Sequence, residues 1–380
     1  MQNNDYFLAK TFHGLEPILA EELRLLGATH IEPGKRMVTF RGDQTTLYRA
    51  NLHLRTATRV LVPIKSFRAM HDKMLYDEIR KIQWKQFMRD FDTFAIDAVA
   101  HSRFFHHSLY VALKSKDAIV DQFRDRTGNR PSVDIKNPKI RFHIHIFEDQ
   151  VTVYRDSSGE SLHRRGYRQS KHPAPINEAL AAGMILLSGW NGSTPFIDPM
   201  CGSGTIAIEA ALIAMNRAPG IGRSFGFESW TDFNRAAWKK ILDEAQLQER
   251  PVNVPILASD SNDAAVREAR DTVEHAGLRD IVSVNHKEWS QLRPPQEPGT
   301  IIINPPYGER INDQNIEELY RSLGDGMKQN FPGWQGWIIS SNLEALKKVG
   351  LRADHKFELY NAQLRCRFLG YDLYVGTKEQ

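Results

Sequence analysis

The chain has 380 residues, which is enough for two or three domains. Its composition is 41% hydrophobic and 25% charged, as expected of a globular protein. No apolar run reaches the length of a membrane span, and no secretory signal is visible. Its two cysteines exclude a disulfide framework and a cysteine zinc site, so we expect a cytoplasmic protein. Residues 1–172 contain 29 Lys and Arg against 20 Asp and Glu, and the remainder contains 21 against 26, so the first half favours a polyanionic partner, although a solvated basic surface explains the charge equally well.

The first half of the chain contains both strand and helix patterns. Residues 5–60 read as a small α+β unit, with strands at 5–11 and 37–42 and a helix at 15–27 that ends in glycine. Further along, the patterns predict a strand at 91–101, a helix at 108–128, and a hairpin with alternating apolar residues at 139–159.

The second half has a regular alternation of strands and helices. Residues 157–175 are rich in Ser, Gly, Pro and basic side chains, so their composition predicts a linker. From residue 176 onward strands alternate with helices, which predicts a doubly wound parallel sheet. Residues 356–376 contain two strand patterns without a helix between them, which predicts an antiparallel hairpin at the sheet edge.

A glycine-rich turn, Asp198-Pro-Met-Cys-Gly-Ser-Gly-Thr205, lies between a short predicted strand and a helix. Gly202 and Gly204 allow a ligand to approach the backbone closely, and the helix N-terminus offers free N–H groups. With Ala207 they also satisfy a relaxed dinucleotide fingerprint. A nucleotide cofactor is therefore predicted, although a tight strand–helix turn would require the same small residues.

An acidic residue, Asp260, ends the next predicted strand. A carboxylate there can accept two hydrogen bonds from the ribose hydroxyls of a nicotinamide nucleotide or of S-adenosylmethionine. The glycine–acid separation exceeds the roughly 20 residues expected of a dehydrogenase, because residues 216–253 intervene. The alternative role for Asp260 is to cap the following helix, which Asn262 and Asp263 could also do.

The strand Ile301–Ile303 is followed by Asn304-Pro305-Pro306-Tyr307. Proline cannot extend a strand ladder, so these residues should lie at the carboxyl end of the strand, where ligands bind in α/β sheets. The Asn304 oxygen and the Pro305 carbonyl could accept both N–H groups of a nucleobase amine and favour a pyramidal nitrogen, while Tyr307 could stack on the base. The pattern favours methyl transfer that depends on positioning, and a simple turn after the strand is the alternative.

In combination, these motifs resemble the class I S-adenosylmethionine-dependent methyltransferases that modify exocyclic amines. SLHRRGYR, APINEALAAGMI, DPMCGSGTIAIEAA and NPPYGERI further resemble the THUMP-domain RNA methyltransferases, in particular the bacterial enzymes that make N2-methylguanosine in large-subunit ribosomal RNA. The resemblance implies an α/β fold with an N-terminal ferredoxin-like α+β unit at 1–55, a THUMP RNA-binding domain at 56–156, a basic linker at 157–175, and a Rossmann-like methyltransferase domain at 176–380 whose seven-stranded sheet carries an antiparallel edge hairpin.

The resemblance also implies a cofactor and its binding residues. The implied cofactor is S-adenosyl-L-methionine, held by Asp198, Cys201, Gly202, Ser203, Gly204, Thr205, Asp260, Glu288 and Asn304. The implied catalytic residues are Asn304, Pro305, Pro306 and Tyr307. Glu288 departs from the aspartate that the family usually places near the adenine amino group. We expect no additional C-terminal methyltransferase domain of the kind that some members carry, since the chain ends at Gln380.

Two groups of basic residues are interpreted as RNA contacts, because cations contact phosphates and aromatic rings stack on unpaired bases. The first group comprises Arg164, Arg165, Tyr167, Arg168 and Lys171, and the second comprises Arg124, Arg126, Arg130, Lys136, Lys139 and Arg141. A flexible solvated linker and a solvated surface are the alternatives. No metal is predicted at His143 and His145, which share a strand face, because no cysteine or carboxylate triad accompanies them.

The sequence therefore predicts methylation of an exocyclic amine in RNA, at guanine N2 of 23S ribosomal RNA, with the base flipped or already unpaired. Adenine N6 is an alternative target because the clamp motif suits it equally, and transfer RNA is an alternative substrate because THUMP domains also accompany tRNA enzymes. An RNA-binding ribosome-assembly factor with an idle cofactor site is an alternative of another class, against which the intact glycine turn and clamp argue. A dehydrogenase is disfavoured by the glycine–acid spacing.

Overall fold

A computed structural model describes residues 5–168, 176–306 and 313–374. The elements of the N-terminal half are β1 (Asp5–Thr11), α1 (Glu16–Leu25), β2 (Thr29–Gly34), β3 (Met37–Gly42), α2 (Gln44–His53), β4 (Ala57–Arg68), α3 (Asp72–Arg80), β5 (Thr93–His101), α4 (Ser108–Thr127), β6 (Ser132–Val133), β7 (Ile140–Phe147) and β8 (Gln150–Asp156).

The strands of the N-terminal half form one sheet in the order β2-β3-β1-β4-β8-β7-β5-β6. The long strand β4 pairs with β1 on one side and with β8 on the other, both antiparallel, so the two units expected at 1–55 and 56–156 share a continuous sheet. No sequence pattern predicted β4, because Pro63 lies within it and the register with β8 shifts between Pro63 and Lys65. The predicted hairpin at 139–159 is confirmed as the antiparallel pair β7–β8.

The two faces of this sheet differ in character, as strand β7 illustrates. Ile140, Phe142, Ile144 and Ile146 point to one face and form a core with residues of α3 and α4. The alternate positions point to the other face, where polar side chains from neighbouring strands meet, including Lys10, Arg59, Asp97, Arg141 and His143. We call this second face the polar face of the sheet.

The elements of the C-terminal half are α5 (Glu178–Leu187), β9 (Phe196–Asp198), α6 (Thr205–Ala214), α7 (Arg235–Leu247), β10 (Ile256–Asp260), α8 (Asp263–His275), β11 (Val282–His286), β12 (Thr300–Ile303), α9 (Asp313–Asn330), β13 (Gln335–Ser340), α10 (Leu343–Lys347), β14 (His355–Asn361) and β15 (Leu364–Asp372). None of the helices in the described residues combines the length and the apolar character needed to cross a membrane.

The C-terminal sheet has seven strands in the order β11-β10-β9-β12-β13-β15-β14. Strands β9 to β13 are parallel, and β15 pairs antiparallel with both β13 and β14, which confirms the predicted Rossmann-like sheet with an antiparallel edge hairpin. The strand order reverses beside β9, since β10 and β11 extend to one side and β12 and β13 to the other. Such a switch point leaves a crevice at the carboxyl ends of the strands, where α/β proteins bind ligands.

The segment between α6 and α7 packs against the N-terminal half. Its aromatic side chains share a core with α1, α2 and β3, and the rings of Tyr48 and Phe227 stack with centroids 4.4 Å apart. Trp238 of α7 meets the Phe227 ring edge-on, with centroids 5.1 Å apart. This packing accounts for the long separation between the glycine turn and Asp260, because the intervening residues join the two halves of the chain.

Candidate active site

A cavity of about 700 Å³ lies at the carboxyl ends of β9, β10, β11 and β12. The glycine turn forms one wall, and the residues after β10, β11 and β12 form the others. The predicted residues that line it are Cys201, Gly202, Ser203, Thr205, Asp260, Glu288, Asn304 and Pro306. The sheet order therefore brings together three motifs, of which the first and the last lie more than 100 residues apart in the sequence, as Cys201 and Asn304 show.

The glycine turn has the backbone geometry that its composition favours. Gly202 and Gly204 have φ angles of 51° and 80°, in the left-handed region that glycine adopts without steric cost. Gly204 also caps α6, and a Cβ atom there would lie 3.4 Å from the Cβ of Ala269. The turn is held to β10 because the Cys201 N–H donates to the Ser259 carbonyl at 2.9 Å.

Asp260 closes the turn from the neighbouring strand. One carboxylate oxygen accepts from the Gly202 N–H at 3.0 Å, and the other accepts from the Asn262 N–H at 2.9 Å. The cap of α8 is Asn262, whose side chain accepts from Ala264 N–H at 2.8 Å, so the alternative cap role falls to Asn262. Each carboxylate oxygen keeps a lone pair that could accept a further hydrogen bond from a ligand.

Asp198 does not line the cavity, although it ends β9. Its side chain is fully buried. Burial and the nearby Asp260 carboxylate raise the pKa of Asp198 to about 8, with the Met200 and Ala207 N–H groups opposing this rise. Gly204 and Pro305 are also absent from the cavity lining. These three predicted residues therefore shape the site through the backbone that carries its lining residues.

The raised pKa of Asp198 predicts a stability that falls as the pH rises. The pKa lies above the ordinary aspartate value of about 3.9, so between about pH 4 and pH 8 the folded protein keeps a proton that the unfolded chain loses. The Asp198→Asn variant has no titrating carboxyl at this position, so it lacks this pH dependence. The free energy of unfolding of the variant minus that of wild type should therefore increase by up to about 1.4 kcal/mol for each pH unit over that interval.

Urea denaturation of both proteins at several pH values between 4 and 8 measures this difference. Asp271→Asn, which changes an exposed carboxylate on α8, is the control and should show no such trend. A difference between Asp198→Asn and wild type that stays constant with pH would contradict the assignment.

Asn304 follows the fully buried strand β12 and is half-buried in the cavity wall. Its side-chain oxygen is buried without a hydrogen-bond partner among the described residues. Pro306 is exposed and lines the cavity, whereas Pro305 is buried. Tyr307, the last residue of the predicted clamp, lies outside the described residues. Asn304 is thus a lining residue whose side-chain oxygen has unused capacity to accept a hydrogen bond.

Glu288 lies two residues after the end of β11. It is exposed, it lines the cavity, and it begins a short 3₁₀ helix in which its N–H donates to the Gln291 side chain at 3.4 Å. Sequence reasoning missed Ile176, Met200, Lys287 and Leu319, which also line the cavity. Of these, Met200 lies inside the glycine motif and could have been found there.

The predicted RNA contacts at Arg165 and Tyr167 need correction, because the structure buries both side chains. The Arg165 Nε lies 3.5 Å from the Glu209 carboxylate of α6, and the Tyr167 hydroxyl donates to the same carboxylate at 3.0 Å. Arg168 donates to the Thr205 hydroxyl at 2.7 Å, at the first turn of α6. These residues hold the segment to the helix that begins at the glycine turn, so its described part is packed rather than a solvated linker.

The other predicted RNA contacts lie at the surface or outside the described part of the chain. Arg164 is exposed and paired with Glu160 at 2.6 Å. Arg124, Arg126 and Arg130 are exposed on or just after α4, and Lys171 lies outside the described residues. His143 is buried beside the Lys10 amino group, at 3.2 Å, and the described residues contain no cluster of side chains suited to a metal ion.

Comparison with known families and proteins gives three matched regions. A family model described as the RMKL-like methyltransferase domain matches residues 165–369, and models for the THUMP domain and the RlmL ferredoxin-like domain match residues 71–156 and 6–61. The first match covers more than half of the chain.

Similar proteins extend these matches over nearly the whole chain. The ribosomal RNA large subunit methyltransferase K/L of Syntrophotalea carbinolica is 39% identical, with 97% of this chain and 53% of that protein aligned, so the chain spans about half the length of that relative. A Synechocystis protein provisionally named as an RNA methyltransferase is 37% identical, with 97% of each chain aligned. The crystal structure of SMU.472, provisionally named as a methyltransferase and complexed with SAH, has a TM-score of 0.89 at 31% identity and covers 100% of both chains.

Proposed function

Because the chain belongs to the RMKL-like methyltransferase domain family, we propose that it transfers a methyl group from S-adenosylmethionine to guanine N2 of large-subunit ribosomal RNA. The observation that carries this proposal is the Asn304 side-chain oxygen, which is buried without a partner among the described residues in the cavity that the glycine turn lines. An exocyclic amine supplies the N–H donor that this acceptor lacks.

The cavity residues fit the cofactor. The positive φ angles of the glycine turn let a ligand approach the backbone, and the Asp260 carboxylate has acceptor capacity for ribose hydroxyls. Bound S-adenosylmethionine supplies an electrophilic methyl group on a sulfonium, which needs no further activation. SAH in the crystal structure of SMU.472, which aligns over the full chain, supports the same assignment.

The residues after β12 would act on the nucleophile. Hydrogen bonds from the amine to the Asn304 oxygen and to the Pro305 carbonyl hold the nitrogen and favour a pyramidal geometry, which frees its lone pair. The adjacent prolines fix the backbone, so that the acceptors are in place before the base arrives. Tyr307 would stack on the base. The site thus acts by positioning and by polarising the amine rather than by forming a covalent intermediate.

The RNA substrate is supported by the N-terminal half. A THUMP domain model matches this half, its 29 Lys and Arg outnumber its 20 Asp and Glu, and the Syntrophotalea relative is named for the large ribosomal subunit. Polyanion binding by cations is the physical basis of this proposal. The base would have to leave its stack to reach the cavity, as expected for enzymes that modify bases.

The test is to incubate the protein with labelled S-adenosylmethionine and total RNA from a strain that lacks its gene, and then to identify the labelled nucleoside. We expect N2-methylguanosine in large-subunit ribosomal RNA. N6-methyladenosine would overturn the target base and retain the mechanism, and label in transfer RNA would overturn the substrate. Cofactor binding without label in any RNA, including assembly intermediates, would favour the non-catalytic assembly factor.

Replacing Asp260 by alanine should weaken cofactor binding by about 10- to 100-fold, because a charged hydrogen-bond acceptor contributes about 1.5–3 kcal/mol and also holds the Gly202 N–H. Isothermal titration calorimetry with S-adenosylmethionine measures the change. Asp263→Ala, which removes an exposed carboxylate in the first turn of α8, is the matched control and should bind the cofactor like wild type. Equal affinity for both variants would contradict the role of Asp260.

A further inference from the structure

A second cavity, of about 770 Å³, lies where the polar face of the N-terminal sheet meets the C-terminal half. Its walls come from residues 136–141, from residues 159–164, and from the loop at 222–229. The lining includes one acidic residue, Glu160. It also includes six cationic side chains, those of Arg59, Lys136, Lys139, Arg141, Arg164 and Arg223. We call this cavity the basic cleft.

Several of these cations are held in fixed positions by carboxylates that do not line the cleft. Arg59 forms a salt bridge with the buried Asp156. Lys139 lies 2.5 Å from Asp92, and Arg141 lies 3.0 Å from Asp97. Side chains that are already ordered lose less conformational entropy when a ligand binds, so these cations are prepared for an anion.

The field in the basic cleft remains positive after these ion pairs are taken into account. Lys136 is exposed, and Arg223 makes its hydrogen bonds with neutral backbone carbonyls, those of Ser161 at 2.9 Å and Glu160 at 2.7 Å. The Arg223 Nε is buried without a partner among the described residues. Burial and the surrounding arginines lower the pKa of His163 to about 4, so this cleft residue is neutral near pH 7 and neither adds to nor reduces the positive charge of the cleft.

The lining also indicates which chemical class the cleft can accept. Phe225 lines the cleft but is buried, so its ring is not available for stacking on a base. Protein-binding sites are usually enriched in exposed aromatic and methionine side chains, which the described lining does not offer. Contacts from cations to phosphates are therefore favoured, and they do not depend on base identity.

We propose that the basic cleft binds the sugar–phosphate backbone of the RNA substrate. Because residues of both halves line the cleft, RNA held there would contact the THUMP region and the methyltransferase half at once. This inference rests on the proposed function, which supplies the identity of the polyanion. It adds the loop at 222–229, which no sequence pattern predicted as an RNA contact, to the binding surface.

The test uses the full chain with the double charge reversal Lys136→Glu/Arg164→Glu. Both side chains are exposed and neither holds the cleft walls together, so folding should tolerate the change. Arg223 is left intact because it joins the two walls. Arg279→Glu/Lys328→Glu makes the same change in net charge at exposed positions that line neither cavity, and is the matched control.

Fluorescence anisotropy with a labelled, unstructured RNA oligonucleotide measures affinity as a function of salt concentration. We expect the cleft variant to bind at least about tenfold more weakly at low salt, and the slope of log K against log salt to fall by about 1.4, as for the loss of two contacts to a single strand. The control variant should bind like wild type. The proposal is overturned if wild type does not bind the RNA, or if the cleft variant keeps the wild-type affinity and slope.

Methyl transfer distinguishes this inference from the proposed function. With deproteinised ribosomal RNA as substrate, the cleft variant should show a raised KM for RNA, with kcat and the Kd for S-adenosylmethionine unchanged. An unchanged KM for RNA would overturn the cleft and leave the proposed activity standing. RNA binding that depends on the cleft, without methyl transfer by wild type to any RNA, would support the cleft and overturn the proposed activity.

Discussion

Replacing Asn304 by alanine is expected to lower kcat by about 10²- to 10³-fold, while the Kd for S-adenosylmethionine changes little. The size of the effect follows from removing one preorganised hydrogen-bonding group that acts on the reacting centre. Asn304 carries a buried oxygen without a partner among the described residues, so alanine removes no hydrogen bond that is shown to stabilise the fold. Single-turnover methylation of RNA measures the rate, and calorimetry measures cofactor affinity.

Asn342→Ala provides the matched control for this prediction. Asn342 follows the neighbouring strand β13, but its side-chain oxygen caps α10 by accepting from the Ala345 N–H at 2.9 Å. Its loss should cost about 1 kcal/mol of stability and leave kcat unchanged. If Asn304→Ala lost cofactor affinity and turnover to the same extent, the proposed division between amine positioning and cofactor binding would fail.

Replacing Arg165 by methionine is expected to lower the free energy of unfolding by about 3–5 kcal/mol, because it leaves the fully buried Glu209 carboxylate without its cationic partner. The guanidinium also donates to the carbonyls of Leu162 and Arg55, so its removal releases the segment from the N-terminal half. Urea denaturation measures the loss. Adding Glu209→Gln should recover part of it, since the double variant removes the uncompensated charge.

Arg164→Met is the control from the adjacent position. Arg164 is exposed and pairs with Glu160 at the surface, where such a pair contributes about 0–1 kcal/mol. The sequence-based prediction treated both arginines as RNA contacts. It therefore expects Arg165→Met to weaken RNA binding and to leave the free energy of unfolding unchanged. Weakened RNA binding by Arg165→Met without any loss of stability would restore that prediction and contradict the structural role.

The elements that sequence patterns predicted well are those whose own periodicity carries the signal. The helix at 108–128 and the hairpin at 139–159 follow from spacing alone, because each buries one face against a core. Strand β4 escaped prediction because Pro63 and a register shift interrupt its pattern. Its pairing with both β1 and β8 depends on strands that are distant in sequence, which local patterns do not record.

The candidate site was largely found from its motifs. The local sequence is enough to predict the glycine turn, Asp260 and Asn304, because each follows a predicted strand and has residue types that suit a ligand. Sequence alone left open whether Asp260 caps α8, and the structure decided it, since the Asn262 side chain accepts the hydrogen bond that caps the helix. The sequence-based prediction counted Asp198 among the cofactor-binding residues, whereas its complete burial places it outside the cavity lining.

The sequence by itself therefore determined the strand–helix alternation, the glycine turn, and the position of Asn304 at the end of β12, because these depend on residues that are neighbours along the chain. Only the tertiary structure decided which basic residues face solvent. Composition treats Arg164, Arg165 and Arg168 alike, yet Glu209 lies 44 residues beyond Arg165 and is brought to it by packing. In the sequence, a charge whose partner is distant along the chain cannot be told from a solvated one, because only the fold places the two together. For this reason the structure contradicts the predicted RNA contact at Arg165.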